Sequence, residues 1–278
     1  MNFVDGTLDR RNTSNVEKFS LVSNHKLDGN RFHSWISTLI KGNVKDLYLC
    51  LYGDDDKYPL LIPPSLFTCE SLTSLELSLH CDFKFPKYIC FPKLKCLKLH
   101  SFKFTDECWN QELFSNSPVL EELILNYCTI RMKYFSISIP TLKLLEINTW
   151  AMEATGLGQC ALKIHAPSLV KFTYKEKEYI LSSFPTPEEA VLCLFIKIGC
   201  ADLSLLLQAL AHVKCLTVYD RAVQSIYSAD DLSNNSLKLR GVKMLKIYDN
   251  LFATDQELIA LLKALPNLES LVFQMASA

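Results

Sequence analysis

SPVLEELILNYC, residues 117–128, decides the fold: Leu120, Leu123 and Leu125 set the pattern L-x-x-L-x-L, and Cys128 follows three residues later. That is the consensus unit of a leucine-rich repeat. Leu123 and Leu125 are two apart and share one face of a short strand, while Leu120 enters the core from the preceding turn. Glu122, Ile124 and Asn126 then point the other way.

One such unit cannot bury its apolar side alone, and the pattern recurs. Clear copies are Leu72, Leu75, Leu77; Leu94, Leu97, Leu99; Leu142, Leu145, Ile147; Leu169, Phe172, Tyr174; Val242, Leu245, Ile247; and Leu268, Leu271, Phe273. Weaker copies are Val16, Phe19, Leu21; Val44, Leu47, Leu49; Val191, Leu194, Ile196; and Val213, Leu216, Val218. First positions fall 22 to 29 residues apart, the period of this repeat class. The expected fold is an α/β leucine-rich-repeat solenoid of about eleven irregular repeats, with a curved parallel sheet inside and helices and loops outside. Residues 1–278 read as a single repeat domain.

Composition agrees with a folded chain. Hydrophobic residues make up 49% and charged residues 21%, enough apolar material for a continuous core. With 29 Lys plus Arg against 30 Asp plus Glu, no global field draws the chain to nucleic acid or to an acidic membrane, so neither is expected as a partner. The 11 Cys include no C-x-x-C and read as reduced small hydrophobes of a cytoplasmic or nuclear protein. The start, MNFVDGTLDRRN, has no apolar h-region, and no run approaches a membrane span.

Local signals place helices around the strands. Phe32, Trp35, Ile36, Leu39 and Ile40 predict an inward-facing helix from about Arg31 to Lys41, with Gly42 as a left-handed cap. TDECWNQELFSNSP, residues 105–118, predicts an outer helix with Thr105 as N-cap and a proline stop. Further helices are expected from Asp202 to Ala211 and from Thr254, with its capping box to Glu257, to Leu265; Ser228 to Ser236 reads as a loop. Pro140 and Pro167 stand two residues before a repeat leucine, where a turn leads into a strand.

The six His fall in different repeats without zinc spacing. Asp54, Asp55 and Asp56 are adjacent, not alternate as a calcium loop needs. Gly156, Gly158 and Ala161 satisfy G-x-G-x-x-A, but a strand and not a helix follows. Glu121 and Glu122 point to opposite faces and make no acid/base pair. The expectation is no enzyme, no cofactor and no metal. What a repeat stack offers is the outward side of its strands, and there the candidate binding residues are Tyr48, Glu76, Lys98, His100, Glu122, Asn126, Glu146, Lys171, Lys175, Tyr219, Lys246 and Tyr248. Phe195 and Lys197 are expected on the same face. Tyrosines interleaved with charges suit a protein or peptide partner.

Several stretches in order resemble one family: Phe3 to Asp5, Trp35–Ile36, NVKDLYLCL at 43–51, PPSLFTCESLTSLEL at 63–77, FPKLKCLKL at 91–99, SPVLEELIL at 117–125 and HAPSLVKFTY at 165–174. Together they resemble the plant F-box/LRR proteins, including those with a C-terminal FBD region. The resemblance implies the substrate-recognition part of an SCF-type ubiquitin ligase, with an unknown target protein on the repeat face. The F-box motif expected before Phe3 is not in the sequence. Residues 1–15 therefore read as an N-terminal remnant, residues 254–278 as the start of an FBD-like region, and the chain as a truncated product. A Skp-type adaptor would be a partner only of a longer form that supplies the F-box. The alternatives are a receptor surface for a hormone or inositol phosphate, for which Lys171, Lys175 and Lys197 are a thin basic cluster, and a non-functional gene fragment.

Overall fold

A computed structural model describes residues 16–24, 27–51, 62–79, 83, 85–110, 112–148, 160–176, 179–183, 187–194, 210–219, 223, 238–249 and 254–275. The chain divides into two compact units, Met1–Arg131 and Met132–Ala278. Both are built from the strand predicted for each triplet, and the fold is of the α/β leucine-rich-repeat class.

In the first unit β1 (Lys18–Ser23), β2 (Asp46–Leu51), β3 (Ser74–Leu79), β4 (Cys96–His100) and β6 (Glu122–Asn126) lie side by side in sequence order. All pair in parallel, and their register aligns Phe19, Leu47, Leu75, Leu97 and Leu123 in one row and Leu21, Leu49, Leu77, Leu99 and Leu125 in the next. From Leu47 and Leu49 onward these side chains are 0 to 2% exposed. The helix α1 (Gly29–Lys41) buries Phe32, Trp35, Ile36 and Leu39, as its spacing predicted. Asp28 caps it by accepting the backbone N–H groups of Asn30 and Arg31. The left-handed residue after it is Asn43, at φ 58°, and not Gly42, at φ -78°; asparagine tolerates that region through its short polar side chain.

In the second unit β9 (Leu144–Asn148), β11 (Lys171–Glu176), β13 (Glu189–Leu194), β14 (Cys215–Tyr219), β15 (Met244–Asp249) and β16 (Ser270–Met275) follow the same rule. Leu145, Phe172, Ala190, Leu216, Leu245 and Leu271 form its core row. Here the sequence reading slipped. The repeat assigned to Val191, Leu194 and Ile196 is carried by Pro187, Ala190 and Leu192, because Ala190 pairs with Phe172 and Leu216. The apolar run from Val191 offers several frames, and only pairing with both neighbours selects one.

Among the described residues a tight turn sets the entry of seven strands. The N–H of the first repeat residue donates to the carbonyl three residues back: Leu94 to Phe91, Leu120 to Ser117, Leu142 to Ile139, Leu169 to Ala166, Val213 to Leu210, Val242 to Leu239 and Leu268 to Leu265. Pro92, Pro118, Pro140, Pro167 and Pro266 occupy the second turn position, where a fixed φ near -65° fits. One residue later, a single carbonyl accepts two N–H groups of the following repeat. Lys45 O takes Thr73 and Ser74, Lys95 O takes Glu121 and Glu122, and Lys214 O takes Lys243 and Met244. Exposed lysine–glutamate rungs decorate that step, Lys45–Glu17 at 2.6 Å, Lys214–Glu188 at 3.0 Å and Lys243–Glu269 at 2.8 Å. At such exposure they contribute little stability.

Between the strands the chain is more extended than expected. In the first unit β5 (Lys103–Thr105) pairs with β7 (Thr129–Arg131). In the second, β8 (Tyr134–Ser138), β10 (Cys160–His165) and β12 (Tyr179–Ser183) form a three-stranded parallel sheet. The helix predicted over 105–118 is not formed: Thr105 ends β5 and turns follow. Asn110 Oδ1 accepts from the N–H of Glu112 at 2.9 Å, and Ser115 and Ser117 close turns to Glu112 and Phe114. Local side-chain bonds of this kind compete with a helix, and they leave Trp109 and Phe114 packed at 5.2 Å beside Phe104. The C-terminal helix α2 (Asp255–Lys263) forms with the predicted Thr254–Glu257 capping box. The helix from Asp202, the loop from Ser228 and the stretches at Asp54 and Gly156 fall wholly or largely outside the described residues.

Cys50, Cys69, Cys90, Cys96, Cys108, Cys128 and Cys215 are free thiols, and Cys50, Cys69, Cys108 and Cys128 are buried. Cys128, 1% exposed, donates to the Leu99 carbonyl; burial pushes its pKa from 9.0 up to about 12, against the opposing pull of the Phe102 and Ser101 backbone. Because the folded thiol holds its proton above the pH at which the unfolded one releases it, this contribution is complete below about pH 9. It is lost as pH rises towards 12. Unfolding free energies from urea titrations at pH 8 to 11 should therefore fall more steeply for the native chain than for Cys128→Ala, by up to about 1.4 kcal/mol per pH unit. Parallel slopes would show that Cys128 is not buried as a neutral thiol.

Candidate functional site

Strand alternation puts the leucines inside and the intervening residues on the opposite face, and the two units use that face differently. In the first unit, register aligns Tyr48, Glu76, Lys98 and Ile124 in one row and Cys50, Ser78, His100 and Asn126 in the next. The Glu76 carboxylate sits 3.5 Å from Lys98 Nζ and 3.3 Å from His100 Nε2. Glu122 stands opposite Cys96, whose thiol is pushed up to about 11 by burial first and by that carboxylate second. On this face Tyr48, Glu76, Lys98, His100, Glu122 and Asn126 share one surface, and its central carboxylate already has the Lys98 ammonium and the His100 imidazole as neighbours.

In the second unit the same face is hollow. The row that crosses the strands reads Glu146, Thr173, Val191, Thr217, Lys246. Three short side chains in succession, between a long acid and a long base, leave a depression of about 280 Å³. Lys171, Glu189 and Cys215 rim it two residues earlier along the strands, and Tyr219 and Tyr248 two residues later. The two tyrosine rings stack with centroids 5.0 Å apart and planes 19° from parallel. At about 4.8 Å per strand, the span from Glu146 to Lys246 is roughly 19 Å.

The charges around this hollow are divided into two poles. Lys171 stands directly across from Glu189 and one diagonal step from Glu146, so that end carries two carboxylates around one ammonium. Lys246 has Thr217 and Val272 as direct cross-strand neighbours, and neither is acidic. Among the described residues none of Glu146, Lys171, Glu189 and Lys246 enters an ion pair. The Cys215 thiol at the rim registers both poles: burial raises its pKa most, Glu189 raises it further, and Lys246 and Lys171 lower it.

Five of the residues expected from sequence, Glu146, Lys171, Tyr219, Lys246 and Tyr248, thus line one depression. Lys175 occupies a β11 position paired with Asn148 and Cys193; Phe195 and Lys197 lie outside the described residues. Glu189, Val191, Cys215 and Thr217 were not among the candidates. The first two were lost with the slipped frame, and the signal that restores it is Glu188, which with Lys214 repeats the Glu17–Lys45 rung. The short residues Cys215 and Thr217 matter by what they do not fill.

Among the described residues, no group of three His, Cys, Asp or Glu side chains could hold a metal, and no helix is long and apolar enough to cross a membrane.

Comparison with known proteins bears on the repeats as a whole. A family model described as "FBD-associated F-box protein At5g56370, LRR repeats" matches residues 32–273. The chain is 27% identical over 226 residues to the putative FBD-associated F-box protein At5g56410 of Arabidopsis thaliana, covering 78% of this chain and 43% of that protein. It is 28% identical over 299 aligned positions to the F-box/LRR-repeat protein At4g14096 of the same plant, covering 99% of this chain and 59% of the relative. With the putative F-box/LRR-repeat protein At5g15620, also from Arabidopsis thaliana, it shares 34% identity over 188 residues, 63% of this chain and 41% of that one. The chain thus spans about half the length of these curated relatives. No solved structure matches.

Proposed function

Since the chain belongs to the leucine-rich-repeat family of the FBD-associated F-box proteins, we propose that it is a protein-interaction module, the substrate-recognition part of an SCF-type ubiquitin ligase receptor. The depression of the second unit is the contact surface. The observation that carries this reading is the row of short residues Thr173, Val191 and Thr217 framed by stacked tyrosines and four charged groups without ion-pair partners among the described residues. Tyrosine gives large contact area at low entropy cost, and a floor of short side chains inside a charged rim leaves room for the side chains of a partner.

Size favours a protein over a hormone. At about 280 Å³ the hollow lies just under the range of roughly 300 to 1,000 Å³ that takes drug-sized ligands. It suits a few side chains of a larger partner.

The test is to fill the floor. Thr217 is 8% exposed and sits on the face opposite the core, so Thr217→Trp adds bulk to the depression and none to the leucine rows. Proteins that are ubiquitinated when a form carrying an F-box is expressed in plant cells should lose capture by this variant at least tenfold, with the urea midpoint unchanged. Undiminished capture would remove the depression from the reading. In the same system a Skp-type adaptor should be retained by the F-box-bearing form and not by residues 1–278 alone.

A further inference from the structure

Resting on that reading, we propose that the depression recognises an extended peptide segment carrying one acidic and one basic residue three or four positions apart. The segment crosses the strands with its carboxylate on Lys246 and its cation on Glu189. The two poles are separated by two strand steps and by two residues along the strand. With about 4.8 Å per step and 3.4 Å per residue, that is roughly 12 Å. An extended chain covers this distance in three to four residues, at about 3.3 to 3.6 Å each.

Charge complementarity argues for this occupant over a uniformly charged one. A run of acidic residues would meet Lys246 and then Glu189 and Glu146, two carboxylates around the single ammonium of Lys171; a run of basic residues would meet that cluster and then an ammonium whose direct neighbours are Thr217 and Val272. Like charges facing each other across an interface suppress the wrong partner. Between the poles the floor is Val191 and Thr217 with the tyrosine stack beside them. It takes the apolar or aromatic residue that separates the two charges of the segment.

The experiment is selection from a random twelve-residue phage-displayed peptide library on the purified 278-residue chain, with the Thr217→Trp variant as the counter-surface. The expected pool is enriched at least tenfold over the counter-surface and carries an acidic and a basic residue at the stated spacing. Selection repeated on Lys246→Glu should replace the acidic position by Lys or Arg, and on Glu189→Lys should replace the basic position by Asp or Glu. Enriched peptides without this pair, or a pair that both variants leave unchanged, would overturn the two-pole inference while the depression remains a binding surface. No enrichment over Thr217→Trp would overturn the inference and the surface together.

Discussion

Leu97→Ala is expected to cost about 3 to 5 kcal/mol of folding stability, the upper part of the range for a buried leucine. Leu97 is fully buried and stands mid-row, between Leu75 and Leu123. The usual relief, collapse of neighbours into the void, is blocked here because hydrogen-bonded parallel strands hold a fixed spacing of about 4.8 Å. A repeat also depends on its nearest neighbours for most of its burial, so a weakened rung loosens those on either side. Urea unfolding followed by circular dichroism measures the loss, and Leu271→Ala is the control. Leu271 has the same row position in the second unit but is 39% exposed, so its truncation should cost under about 1.5 kcal/mol. Equal losses would mean that the row does not make one continuous core in the first unit.

Gly241→Ala is the second large effect, expected at about 2 to 4 kcal/mol from a single added methyl group. A β-carbon at this position would lie 2.7 Å from Ala211 O and 2.7 Å from both the carbonyl carbon and the Cα of His212. All three are backbone atoms, so no side chain can swing aside. The Gly241 N–H also donates to Ala211 O at 2.9 Å. Pushing the turns apart adds overpacking strain of about 1 to 3 kcal/mol and weakens a bond worth roughly 1 kcal/mol. The glycine is required by this close approach, since no described glycine has a positive φ. Thermal unfolding of the variant should show a lowered midpoint, whereas Arg240→Ala, one residue earlier on an exposed side chain, should stay near the native value. A Gly241→Ala midpoint equal to that of Arg240→Ala would show that the turns have room to separate.

Much of the fold was legible because its period is written in residues that physical chemistry constrains strongly. Leucines at i, i+3 and i+5 cannot all be buried in another local geometry, and the prolines two residues before the leucine fix the turn that brings each strand in. The same logic failed where composition offered several equivalent frames. From Ala190 to Ile196 nearly any register satisfies hydrophobicity, and the choice fell to the partners, Phe172 on one side and Leu216 on the other. The outer segment at 105–118 failed for a different reason. Its helix signals are local and weak, and they were outweighed by the Asn110 turn and by the packing of Trp109 against Phe104 at 4.8 Å.

By itself the sequence determined the repeat class, the parallel strands, the family and, outside β13, which residues face away from the core, since all of these follow from spacing along the chain. Only the tertiary structure decided where that face is hollow. The depression arises from side chains that are short, at positions brought side by side by three different repeats, beside a tyrosine pair of which Tyr219 comes from the third and Tyr248 from the repeat after it. Lateral registry between strands is set by hydrogen bonds and core packing between repeats. Thr173, Val191 and Thr217 therefore become one floor only once the leucine rows behind them have locked.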